Sequence, residues 1–345
     1  MFWDIKKFFS NKIKDNEPYF FCDEINDRLH FFNKQITYCS IGNTSNNRLY
    51  PVLVDNFAGQ KLNYKKLLKK IANVKEEFRK GQILDSCKNC QRLRLDNWEK
   101  ETTPFKLVQF SDWGLCNSKC VYCNSWHNTV LENGQYVTKD RNPDTYPILP
   151  IIKNMIKIGL INKDTSVNFA GGEPTLYFEF QDAVNFLLKY GTKRMEVYSN
   201  IIEYSQEIEK GIASGVIELT VSIDAGTKET HENIKGVKSY DKVWGNLERY
   251  VKAAGSRFNK NVVCKFVVVP GINDSIREIE EWLTKARDIG VTNFILNADN
   301  RVHENSTISE NLSTKLVELS DLFIEKMEKH QFDYKIGPNI SCLYR

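Results

Sequence analysis

From about residue 105 onward the chain alternates short runs rich in Val, Ile and Phe with longer amphipathic runs, and no other feature restricts its fold as much. FKLVQF, SVNFAG, MEVYSN, IELTVSID, VVCKFVVV and TNFILN read as six strands. Between them, PILPIIKNMIKIG, FEFQDAVNFLLKYG, YSQEIEKGIASG, SYDKVWGNLERYVKAAG and SIREIEEWLTKARDIG space their apolar residues as helices do, and most end in Gly, a frequent helix terminator. Strands that alternate with helices call for a parallel sheet. The expected fold class is therefore α/β. Six such units fit an open or partial (β/α)6 barrel better than a closed eight-stranded one. NLSTKLVELSDLFIEKMEKH supplies a C-terminal helix.

The first hundred residues have a different texture. RLHFF–NK–QITYC reads as a hairpin with Asn33 in its turn, and LNYKKLLKKIANVKEEFRKG as a helix. That helix sets Tyr64, Leu67, Ile71, Val74 and Phe78 on one stripe and its lysines on the other face, a solvated face rather than a nucleic-acid surface. The polar stretch 92–104 marks a boundary. The expected division of the 345 residues is a cysteine-rich α+β module over 1–100, a barrel over 101–305, and a helix and tail over 306–345.

A hydrophobic fraction of 41% and a charged fraction of 27% are ordinary for a globular protein, and a net charge of +4 is too small to argue for nucleic acid. No run approaches a membrane span, and the first residues lack the apolar core of a secretory signal, so a cytoplasmic protein without membrane contact is expected. The opening segment does set Phe2, Trp3, Ile5, Phe8, Phe9 and Ile13 against Lys6, Lys7, Lys12 and Lys14; packing on the rest of the protein is favoured over a place on an anionic membrane.

Nine cysteines are many for a reducing compartment, and they are clustered. Cys22, Cys39, Cys87 and Cys90 precede residue 100, Cys116, Cys120 and Cys123 share one loop, and Cys264 and Cys342 stand apart. Clustering without disulfides points to metal. Three thiolates at 116, 120 and 123 can wrap one inorganic centre. A structural zinc site wants four ligands, whereas a four-iron cluster on three cysteines leaves one iron open for a small molecule. A zinc knuckle that borrows His127 is the alternative.

The spacing C-x3-C-x2-C, with Tyr122 before the last cysteine, resembles the signature of the radical S-adenosylmethionine (SAM) superfamily. That resemblance implies a 4Fe–4S cluster on Cys116, Cys120 and Cys123 whose open iron binds SAM, and reductive cleavage of SAM to a 5′-deoxyadenosyl radical. NFAGGEP ends the second expected strand, and Gly171, Gly172 and Glu173 resemble the family motif that holds the methionine amino group. Glycines let backbone approach a ligand, and a carboxylate can pair with an ammonium. Tyr198-Ser199-Asn200 and Val221-Ser222-Ile223-Asp224 resemble polar strand ends that contact SAM, which implies such a role for Ser199, Asn200, Ser222 and Asp224. In HENIKGV, Lys235 stands where relatives commonly carry an arginine to the SAM carboxylate; it supplies the charge without the bidentate fork. After Asn200 comes Ile201, where relatives often carry Gly.

Cys22, Cys39, Cys87 and Cys90 make a complete cage for a cluster or for zinc, and the hairpin, helix and RKGQILDSCKNC run resembles the SPASM and twitch auxiliary-cluster modules. Here the module would precede the barrel rather than follow it, and Lys34 replaces a glycine of the pattern. A second 4Fe–4S cluster is expected, with zinc or unmetallated cysteines as the alternatives; Cys342 reads as a spare thiol that could replace Cys22 if the tail folds back. Cys264 reads as a core residue. The function implied is hydrogen abstraction from a peptide or carbohydrate substrate, served by a reductant such as flavodoxin or ferredoxin. Asp299 and Arg301, after the sixth strand, are candidate substrate contacts. The competing readings are a zinc-stabilised binding module and a SAM-binding sensor without catalysis.

Overall fold

A computed structural model describes residues 19–32, 35–39, 52–55, 57, 62–87, 90, 93–96, 103–111, 115–123, 127–132, 135–140, 146–299 and 310–344. In chain order its elements are β1 (Tyr19–Phe21), α1 (Asp23–Asp27), β2 (Arg28–Phe32), β3 (Gln35–Thr37), β4 (Val52–Val54), α2 (Tyr64–Arg79), β5 (Arg94–Asp96), β6 (Leu107–Ser111), β7 (His127–Glu132), β8 (Gln135–Asp140) and α3 (Leu149–Lys157). There follow β9 (Ser166–Phe169), α4 (Phe180–Tyr190), β10 (Met195–Ser199), α5 (Gln206–Ala213), β11 (Ile217–Ser222), α6 (Lys228–Lys235), α7 (Tyr240–Phe258) and β12 (Val262–Val268). The chain closes with α8 (Ile276–Ile289), β13 (Asn293–Ala298), α9 (Glu310–His330), β14 (Asp333–Ile336) and α10 (Pro338–Ser341).

Two compact units are formed, the first by residues 1–113, 144–170 and 185–195, the second by 114–143, 171–184 and 196–345. In the first, β6 pairs in parallel with β9 on one side and with β2 on the other, and β3 and β4 continue antiparallel. The expected hairpin is present, with His30 opposite Thr37 and Phe31 opposite Ile36. Its strand β2 extends the parallel sheet, which the sequence does not announce. Phe31, Phe110 and Phe169 stack in line on one face of these strands, and Phe57 and Tyr146 close over them. Helix α2 starts at Asn63, whose side chain caps the amide of Lys66, and buries Leu67, Leu68, Ile71 and Phe78. One lysine departs from the expected solvated face: Lys75 is buried because its ammonium donates to the carbonyl and side chain of Asn26.

In the second unit β11, β12, β13 and β14 run parallel in that order, with β10 beside β11. The α/β class with parallel strands and intervening helices is thus as expected, and all six expected strands are present as β6 and β9 to β13. Alternation decides the two faces of each strand. On β12 and β13, Phe266 and Phe294 turn to α8 and flank the fully buried Trp282, while Lys265 and Ile295 take the opposite face. Among the described residues no helix is long and apolar enough to cross a membrane. The basic opening segment lies outside the described residues.

Candidate SAM and cluster site

The cysteine loop, Leu115 to Cys123, lies wholly in the second unit and is held by backbone bonds. Leu115 carbonyl accepts from Glu173, Cys120 carbonyl accepts from Cys123, and the amides of Lys119 and Val121 donate to the carbonyls of Lys235 and Ile234 at the end of α6. Burial pushes the Cys116 thiol up to about 12 and the Cys120 thiol up to about 11. Unaided, these sulfurs stay protonated at neutral pH and make poor nucleophiles; coordination by a metal would deprotonate them. Two N–H groups already aim at Cys116 Sγ, from Ser118 at 3.5 Å and from the Asn200 side chain at 3.6 Å. Such donors are what an iron–sulfur thiolate accepts. Among the described residues no three His, Cys, Asp or Glu side chains close on a single metal ion. A cluster asks for something wider, since each cysteine binds a different iron.

Glu173 is the polar centre of the site. The turn before it needs Gly171 at φ 106°, a conformation that side chains rarely adopt. The carboxylate is buried and accepts from Thr175 Oγ1 at 2.8 Å, Ser199 Oγ at 2.8 Å and the Asn200 amide at 2.8 Å. Burial nonetheless holds its carboxyl above the ordinary value. Among the described residues no cation is paired with it. Such a group gains from an ammonium supplied by a ligand.

Asn200 connects the three motifs. Its amide N–H serves Glu173, while its side-chain nitrogen reaches Asn117 Oδ1 at 2.7 Å, Ser118 Oγ at 3.3 Å and the Cys116 sulfur. The next residue, Ile201, is fully buried at φ 50°. A glycine suits that backbone; here a β-branched residue is held in the left-handed region. Ser199 Oγ accepts from its amide and the Asn246 side chain donates to its carbonyl, which fixes the turn.

Tyr122, Asp224 and Lys235 form a separate buried knot. The Tyr122 hydroxyl donates to Asp224 Oδ2 at 2.6 Å, and the Lys235 ammonium contacts both Asp224 and, at 3.1 Å, the Tyr122 oxygen. Asp224 is itself fixed, with Oδ1 accepting from the Val267 amide and its carbonyl accepting from Asn273. Ser222 ends β11 in register with Lys265. Asn117, Ser118, Thr175 and Asn273 lie beside the motifs without forming part of them, and no sequence signal singles them out.

In the first unit Cys22 is buried and Cys39, Cys87 and Cys90 are half-buried. Burial pushes Cys22 up to about 11, with Cys39 close enough to contribute. Burial also raises the phenol of Tyr38, and the charges of Cys87, Cys39 and Cys22 all act on it. Cys90 donates its amide to the Cys87 carbonyl. Asp299 is buried, Cys264 packs in the core of β12, and the side chains of His127, Arg301 and Cys342 lie outside the described residues.

Residues 112–283 match the model of the radical SAM superfamily, over a stretch that includes the cysteine loop, GGEP and both strand-end motifs. The chain belongs to the radical SAM superfamily. Membership implies a 4Fe–4S cluster and SAM, and the N–H donors to Cys116 and the carboxylate of Glu173, which no cation pairs with among the described residues, fit them. Curated relatives are distant. The chain is 24% identical over 160 residues to GTP 3′,8-cyclase of Vibrio parahaemolyticus, a match covering 46% of this chain and 46% of that protein. It is 24% identical over 203 residues to a probable GTP 3′,8-cyclase of Saccharolobus islandicus, covering 50% and 62%. The chain thus spans about half the length of the curated relatives it matches. Among solved structures, Streptococcus suis SuiB bound to the precursor peptide SuiA is similar with a TM-score of 0.51 at 16% identity, over 87% of this chain and 58% of that one. That likeness is one of fold.

Proposed function

We propose that the protein is a radical SAM enzyme that cleaves SAM reductively and abstracts hydrogen from a peptide or carbohydrate-type substrate. Asn200 carries the reading, because one side chain and its amide join the cysteine loop, Glu173 and the third strand end. Cys116, Cys120 and Cys123 would hold the cluster. Gly171 and Gly172 would let SAM approach the backbone, Glu173 would receive its ammonium, and Ser199, Asn200 and Ser222 would stand beside it. When bound, the cluster supplies the electron that splits SAM into methionine and a 5′-deoxyadenosyl radical. The chain's own part is to fix the sulfonium near the loop, keep water away, and place a substrate carbon against the 5′ carbon.

Cys22, Cys39, Cys87 and Cys90 would hold a second 4Fe–4S cluster, which could accept an electron from the substrate; a flavodoxin or ferredoxin would supply the first. The peptide reading is in keeping with SuiB, which was solved with its precursor peptide. The name of the curated relatives makes a purine nucleoside triphosphate the second substrate reading. Anaerobic incubation of reduced, reconstituted protein with SAM should yield 5′-deoxyadenosine; its absence from protein with an intact cluster would make the chain a sensor. Candidate peptides, sugars and GTP, each deuterated at the reacting carbon, then separate the substrate classes by which one labels the 5′-deoxyadenosine.

A further inference from the structure

Tyr122, Asp224 and Lys235 carry an inference that rests on the cluster reading and goes beyond it. Resemblance alone assigns Lys235 to the SAM carboxylate, but its ammonium is buried and spent on Asp224 and the Tyr122 oxygen. Asp224 is buried too, in a left-handed backbone at φ 63°, and its other oxygen and carbonyl are committed to Val267 and Asn273. Tyr122 belongs to the cysteine loop, between two of its cysteines. On either side of that contact the loop is tied to the same helix, Lys119 to the Lys235 carbonyl at 2.8 Å and Val121 to the Ile234 carbonyl at 2.9 Å. Gly236, just beyond, is packed so closely that an added Cβ would come within 3.1 Å of the Lys119 carbonyl oxygen.

Helix α6 is anchored at its far end as well. Glu278 of α8 accepts from the amides of Gly226 and Thr227 and from the hydroxyls of Thr227 and Thr230. The helix therefore acts as a bracket, fixed by α8 at its start and gripping the loop at its end. The ion pair also puts one positive and one negative charge among the cysteines, with Cys120 influenced first by Lys235 among nearby charges and also by Asp224. We propose that Tyr122, Asp224 and Lys235 are positioning residues that clamp the cysteine loop onto α6 and balance the charge beside its sulfurs, leaving the SAM carboxylate to other groups.

The test uses full-length reconstituted protein without SAM, by redox titration and EPR. Lys235→Met leaves a carboxylate uncompensated beside the thiolates and should lower the cluster midpoint potential. Asp224→Asn leaves an ammonium and should raise it. The pair of changes together should return the midpoint toward that of the unaltered protein. Tyr122→Phe keeps the ring and the ion pair, so it should fold with full iron and still alter the SAM-free EPR line shape. Midpoints that stay put or move in the same direction overturn the charge balance, and an unchanged Tyr122→Phe spectrum overturns the clamp. If Lys235→Met leaves the SAM-free cluster untouched and only weakens SAM binding, Lys235 is a SAM ligand. Unaltered protein that takes up no cluster at all overturns the reading beneath the clamp, a result distinct from any of these.

Discussion

At the scale of single residues, Glu173 shows how a buried charge can be reserved for a ligand. Hydrogen bonds from Thr175, Ser199 and Asn200 make its burial tolerable, yet none of these donors brings a full positive charge. Glu173→Gln keeps the shape and removes the anion. A charge-assisted hydrogen bond contributes about 1.5–3 kcal/mol, so SAM affinity should fall roughly 10- to 150-fold at neutral pH while iron content is unchanged. Equilibrium dialysis against labelled SAM measures this, and an unchanged affinity would remove Glu173 from the ligand's contacts. Ile201 poses the opposite balance. Its left-handed backbone costs about 1–2 kcal/mol, but the buried side chain contributes more, since Ile→Ala changes in cores cost about 2–5 kcal/mol. Ile201→Gly should therefore lower the thermal midpoint of unfolding despite relieving the backbone. A higher midpoint would mean that the turn, rather than the packing, dominates.

At the scale of elements, α6 is the helix that the sequence hid. Lys228–Lys235 is short and polar, so its apolar periodicity is thin, and HENIKGV was legible only as a motif. What makes it a helix lies far away in the chain: Thr227 caps it locally, and Glu278, some fifty residues on, completes the cap. Glu278→Ala should strand these donors and destabilise the protein by about 1–3 kcal/mol, read from urea unfolding. The pH dependence follows from the same bonds. Burial alone would raise the Glu278 carboxyl, but the donors from Thr227, Thr230 and Gly226 win and hold it below its ordinary value of 4.5. Its contribution is then complete above about pH 4.5 and is lost as the pH falls further through the lowered value. The gap in stability between unaltered protein and Glu278→Ala should narrow in acid; a gap that widens would show that the carboxylate is not the stabilising form. The long helices and the six strands were legible because their periodicity is strong and local. Strands β4, β5 and β14 were not, being three or four residues long and defined by partners elsewhere.

At the scale of the whole molecule, the two cysteine groups lie in different compact units, so each can be emptied without touching the other's ligands. Fully loaded protein should contain about eight irons, and the triple change of Cys116, Cys120 and Cys123 to Ala should retain about four. Zinc in place of that remainder would make the first unit's site structural while leaving the radical chemistry intact. The motifs of the second unit were readable in sequence because three of them fall at consecutive strand ends, where a parallel sheet gathers them. The network that joins them was not, for it runs through Asn117, Ser118 and Thr175, whose residue types are unremarkable and whose partners only folding supplies. We propose that Cys116, Cys120 and Cys123 hold a cluster with one iron open to SAM. The most direct measurement is the EPR spectrum of the reduced, anaerobically reconstituted protein before and after SAM is added, with the first-unit cysteines replaced so that one cluster reports. A spectrum whose g-values shift on SAM addition is the result expected, and an intact cluster whose spectrum does not change at saturating SAM would contradict it.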